Sequence, residues 1–175
     1  RYGYALVVNP DVVGDVEDLA RGGVRLGCVR EGGAADVLMN RTLDRFHLPR
    51  SKVLSEVRRM NPPKLLLAIE SGQLDAAFLP EQWASMAEEQ GFKMLLTARD
   101  IWPGMQGSVL VVKEELIRND PEMVRKLVAV NARATRWINA HPDAAAGILV
   151  RALAMTGEKA MPAKASALTS KLEMT

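Results

Sequence analysis

Val24-Arg25-Leu26-Gly27-Cys28-Val29-Arg30-Glu31-Gly32-Gly33-Ala34-Ala35-Asp36 is the stretch on which the fold turns. Val24 to Val29 is a short apolar run entered from the turn Gly22-Gly23, the length and composition of a buried strand. Gly32-Gly33 then punctuates the chain and opens an amphipathic helix reaching about Phe46. Ala35, Leu38, Met39, Leu43 and Phe46 recur at three and four residues, so they share one helical face. Leu48-Pro49 ends it.

The same strand–turn–helix unit repeats on both sides. Upstream, Tyr4 to Val8 reads as a buried strand stopped by Asn9-Pro10. Downstream, Val53 to Arg58 is a third strand candidate. Asn61-Pro62-Pro63 then supplies a helix start, with Asn as cap and Pro in the first turn, where its missing N–H costs nothing. That helix, Lys64 to Ser71, closes on Gly72. Leu74 to Leu79 is strand four, Pro80 begins a helix closing at Gly91, and Lys93 to Thr97 is strand five. Short strands alternating with helices through tight connections predict an α/β fold, a parallel or mixed sheet with helices on both faces.

Beyond it the character changes. Ser108 to Lys113 (SVLVVK) reads as one more strand. Asp120-Pro121-Glu122 caps a long helix whose apolar positions Met123, Leu127, Val130, Ala134 and Trp137 step by three and four. His141-Pro142-Asp143 breaks it and starts another through about Leu153; Glu158 to Thr175 reads as a weak helix or frayed tail.

Composition narrows the function. The 175 residues, 48% hydrophobic and 25% charged, have the balance of an ordinary globular protein. A formal charge of +2, evenly scattered, is no footprint for nucleic acid or a membrane surface. No apolar run approaches the roughly 20 residues a spanning helix needs. Cys28 is the single cysteine, so no internal disulfide can form, and its place on a strand predicts a buried thiol. The sequence opens inside an apolar strand with neither Met nor signal peptide, which leads us to expect a truncated or incomplete start.

Candidate site residues follow from strand ends, where open parallel sheets collect their ligands. The turn Glu31-Gly32-Gly33-Ala34 sits at a helix N-terminus, whose free N–H groups suit a ligand; the same residues would also make a plain tight turn. It lacks the third glycine of a dinucleotide fingerprint and the Gly-Lys-Ser/Thr of a phosphate loop. Glu81, after Leu79-Pro80, and Met60-Asn61 face the same rim; Glu81 is equally good dipole chemistry in a first helical turn. Trp102, in Asp100-Ile101-Trp102-Pro103-Gly104, is either an aromatic wall for a ligand or the cover of a domain joint. His47 and His141 sit beside prolines at helix boundaries, and no HExxH, CxxC or GxSxG occurs. Neither catalysis nor a metal or other cofactor is expected.

The order of these segments resembles a known group. Asp18-Leu19-Ala20, the Gly-rich turn, Asn61-Pro62-Pro63, Ser71-Gly72-Gln73-Leu74-Asp75-Ala76, Pro80-Glu81, Asp100-Ile101-Trp102-Pro103 and Trp137-Ile138-Asn139-Ala140-His141-Pro142-Asp143-Ala144-Ala145 follow one another as in the nitrate/sulfonate/taurine-type substrate-binding proteins of ABC importers, which include thiamine-precursor binders. The match runs from about Tyr2 to Val150. The resemblance implies a type II periplasmic-binding fold of two α/β lobes closing on a ligand. Residues 15–98 would then be a complete second lobe. Residues 1–14 and 99–175 would be crossover strands and C-terminal helices of an incomplete first lobe. It implies a periplasmic or other extracytoplasmic location, a small-molecule ligand and an ABC permease as partner. The membrane would be met only through that permease or a lipid anchor.

Two departures bear on the ligand. The hydroxyl that relatives place in the turn is missing from Glu31-Gly32-Gly33-Ala34-Ala35, and their Glu-Pro pair is Glu81-Gln82 here. Two carboxylates on one rim would repel a small oxyanion, so a nitrogen-bearing ligand is expected ahead of a sulfonate or nitrate. Two rivals use related scaffolds. One is an enzyme of thiamine-pyrimidine or menaquinone-precursor synthesis, the former marked by a Cys-rich motif that a single Cys28 does not supply. The other is a LysR-type effector domain, which would follow a helix-turn-helix.

Overall fold

The computed structural model describes residues 3–105 and 109–155, and the chain divides between Gly107 and Ser108 into two units. In the first unit the sheet is made of β1 (Tyr4–Val8), β2 (Leu26–Cys28), β3 (Arg58–Arg59), β4 (Ala76–Pro80) and β5 (Lys93–Thr97). Their order is β3-β2-β4-β1-β5. β2 runs parallel to β3 and β4, whereas β1 is antiparallel to both its neighbours, β4 and β5. The sheet is therefore mixed, and the first strand of the chain lies inside it.

Burial explains the continuous apolar runs. Ala5 to Val8 and Ala76 to Leu79 are wholly buried, so both faces of these strands are covered. Alternation divides them. Leu6, Val8, Ala76 and Phe78 share one core with Leu38, Met39 and Leu43 of α1 (Ala34–Arg45). Ala5, Val7, Ala77 and Leu79 point to the opposite face, where α3 (Pro62–Glu70) and α4 (Glu81–Glu89) lie against β4 and β1. Gly27 is needed on that side: a Cβ there would stand 2.5 Å from Leu74 Cδ1 and 2.6 Å from Leu65 Cδ2.

The amino ends of β2 and β4 are tied together. Asp75 Oδ2 accepts from Arg25 N and Nε, both at 2.8 Å, and Oδ1 accepts from the Arg25 guanidinium at 2.6 Å. These bonds from Arg25 hold the Asp75 carboxyl below its ordinary range, against the opposing effect of burial.

Val53 to Arg58 is not the strand its apolar residues suggest. Lys52 and Val53 donate backbone bonds to Pro49 O, which starts α2 (Arg50–Ser55), and Val53 is buried by that helix. Only Arg58 and Arg59 reach the ladder, opposite Gly27 and Cys28. Strand two likewise shortens to Leu26–Cys28. A short helix α5 (Ala98–Ile101) follows β5, its start fixed by Asp100, which accepts from Thr97 N and Oγ1.

The described part of the second unit holds three helices, α6 (Glu114–Asn119), α7 (Pro121–Ala140) and α8 (Pro142–Met155). Asp120 caps α7 by accepting from Met123 N at 2.9 Å, with Pro121 in the first turn, as the sequence leads one to expect. At its far end the His141 ring stacks on Trp137, centroids 4.9 Å apart. The strand expected over Ser108–Lys113 does not form across 109–113: these residues join no ladder, and Val109, Leu110 and Val111 are exposed. The expected tail, Glu158 to Thr175, lies outside the described residues.

Candidate ligand-binding site

Because β1 is antiparallel to β4, Tyr4 pairs with Pro80, and the start of β1 meets the carboxyl ends of β2, β3 and β4 on one rim. Past Cys28 the chain turns through Gly32, whose φ of 71° suits glycine, and enters α1 with Gly33 as its cap. No side chain caps α1, so its first N–H groups and the positive end of its dipole face outward. Asp36 folds back over the turn: Oδ2 accepts from Gly32 N at 3.0 Å and Oδ1 from Arg59 Nη1 at 2.6 Å. The same Arg59 nitrogen donates to Val29 O at 2.9 Å, and Met60 N donates to Cys28 O at 3.1 Å. Together these bonds fasten the end of β3 to the turn. Asn61 then caps α3 through Oδ1, accepting from Lys64 N.

Between these pieces lies an open depression of ≈ 530 Å³, a volume suited to a small organic molecule. Tyr4, Val29, Met60, Pro62 and Pro80 give it apolar walls, Gly33 to Ala35 bring the start of α1 to it, and Arg30 and Arg59 carry its charge.

Four of the eight residues singled out from sequence meet here: Gly33, Ala34, Met60 and Asn61. Glu31 and Gly32 belong to the same turn and are exposed, but do not line the depression. Glu81 is buried instead, its Oε1 accepting from Ser85 Oγ at 3.0 Å. Trp102 ends α5 elsewhere on the unit, with the Arg41 guanidinium 5.9 Å from its ring centroid. The nitrogen-bearing ligand was expected because two carboxylates would share the rim. Neither lines it, and both charged residues that do are arginines.

Sequence reasoning passed over Tyr4, Arg30, Arg59 and Pro80. The strand-end rule could have flagged both arginines, since Arg59 ends β3 and Arg30 lies two residues past β2. Cys28 is buried as expected, and burial pushes its thiol up to about 12, which leaves it protonated and inert at neutral pH. Among the described residues no group of three His, Cys, Asp or Glu could hold a metal ion. No described helix is long and apolar enough to cross a membrane.

A mixed α/β sheet of this order with an open depression at its strand ends has the fold of type II periplasmic binding proteins. Residues 9–154 match the NMT1-like family, and the chain belongs to it. The periplasmic aliphatic sulphonate binding protein SsuA of Escherichia coli is similar at a TM-score of 0.76 and 18% identity, covering 97% of this chain and 55% of that one. The alkanesulfonate-binding protein SsuA of Xanthomonas axonopodis pv. citri, solved with MOPS, gives 0.70 at 16% identity and the same coverage. The ligand-binding component of an ABC-type import system from Staphylococcus aureus, solved with zinc, gives 0.59 at 14% identity, again with 97% and 55% covered. The chain thus spans about half the length of these solved proteins. No protein of curated function matches the sequence.

Proposed function

We propose that the chain is part of the solute-binding component of an ABC importer acting outside the cytoplasm, and that its depression receives the acidic head of a small organic molecule. The observation that carries the ligand class is the pairing of Arg30 and Arg59 with the uncapped start of α1 on apolar walls. Guanidinium groups and helix N–H groups attract an anion, and Tyr4, Met60 and the two prolines suit a hydrocarbon body. The fold and family support the transport reading, and the sulfonates named for two similar structures are anions of this kind.

In this reading residues 15–98 form one lobe, and residues 1–14 and 99–175 carry the crossings and helices of another. Ligand bridging the lobes would shift the population from open to closed, and the closed form would dock on the permease. The role needs no chemistry from the protein. Titrating the 175-residue chain with butanesulfonate and with butylamine, followed by amide NMR, tests the ligand class. Shifts over residues 29–36 and 59–62 with the sulfonate are expected. Shifts there with the amine alone would reverse the assignment.

A further inference from the structure

Resting on the organic-anion reading, we propose that Asp36 sets how much negative charge the depression accepts, by cancelling one of its two guanidinium groups. Arg30 and Arg59 line the same space but are not equivalent. Arg59 is held by Asp36 Oδ1 at 2.6 Å, with side chains only 29% and 10% exposed. Arg30 is exposed, and among the described residues it makes no ion pair. The site therefore presents one uncompensated cation and a partial helix charge.

Asp36 is well fixed for this role. It lies in the first turn of α1, it is 7% exposed, and its second oxygen is engaged by Gly32 N–H. It cannot swing away from Arg59 without undoing the turn that shapes the depression. A ligand with one negative charge is matched by Arg30. A second negative charge would fall beside a guanidinium already neutralised, with the Asp36 carboxylate behind it, and would lose its hydration for little return. Asp36 is thus a specificity residue that need not touch the ligand.

The test compares butanesulfonate with butyl phosphate, which carries nearly two negative charges at about pH 8, in amide NMR titrations of the 175-residue chain. The unmodified chain is expected to favour the sulfonate. Asp36→Asn keeps an acceptor for Gly32 N–H and frees Arg59, so the preference should move at least about tenfold towards the phosphate. Arg59→Gln leaves Asp36 opposing Arg30, and should abolish sulfonate binding as fully as Arg30→Gln does. An unchanged sulfonate-to-phosphate ratio in Asp36→Asn would overturn the inference while leaving the organic-anion reading intact. Should Asp36→Asn fail to fold, sulfonate binding retained by a folded Arg59→Gln chain would overturn it equally. Binding of neither anion by the unmodified chain would remove the organic-anion reading, and the inference with it.

Discussion

The two units contrast in how their apolar residues are used. In residues 3–105 strands β1, β2 and β4 are buried almost throughout, and one face of α1 packs into the core they share. Among residues 109–152 only Ala145 and Ala146 are buried, although α7 carries as regular an apolar stripe as α1. Met123, Val130 and Trp137, all on that stripe, are 43%, 52% and 41% exposed. The difference teaches that amphipathic period is local, whereas burial is a property of pairs of surfaces. A sheet with helices on both faces supplies its own partners; a few helices do not.

Truncation at the heart of the first core tests that contrast most severely. Phe78→Ala, at a fully buried site, should cost about 3–5 kcal/mol in urea unfolding followed by circular dichroism. A loss below about 1 kcal/mol would mean that β4 is not the central, closely filled strand described.

Asp75→Asn comes next, at about 1–2 kcal/mol; Arg25 is 44% exposed, and solvent screening reduces the figure. Its sign with pH is fixed by the direction of the shift. A carboxyl lowered by Arg25 contributes fully above the unfolded value of about 3.9, and the contribution drains away as pH falls through the lower folded value. The gap between variant and parent should therefore hold at neutral pH and narrow on strong acidification. A gap that widened in acid would contradict the ion pair at the amino edge.

Val130→Ala on α7 sharpens the other side, with an expected change within about 0.5 kcal/mol. A loss rivalling that of Phe78→Ala would reveal that the stripe is covered in solution.

The same distinction explains how much could be read in advance. Strands one, four and five and the helices α1, α3, α4 and α7 were legible because period, caps and glycines are written into neighbouring residues. Val53 to Arg58 misled because Val53, Leu54 and Val57 suit a strand, while Pro49 had already set a helical turn going. Val109 to Lys113 misled because a strand exists only where a ladder receives it, and none of these residues has one. In the site, the strand-end rule found Gly33, Ala34, Met60 and Asn61 but chose carboxylates over arginines. It fixes where a residue lies along the chain, and not whether its side chain turns inward to Ser85, as Glu81 does, or out to the rim, as Arg30 does.

The place of β1 between β4 and β5 has a kinetic consequence. Its five residues find their partners roughly 70 to 90 positions further along the chain, so its ladders with β4 and β5 close over long loops. Until then β4 and β5 present unpaired edges made of Ala76 to Leu79 and Met94 to Leu96, ready templates for other chains. Tyr4 to Val8 thus act as a latch. A chain in which β1 had not yet paired would be sticky rather than merely unfolded.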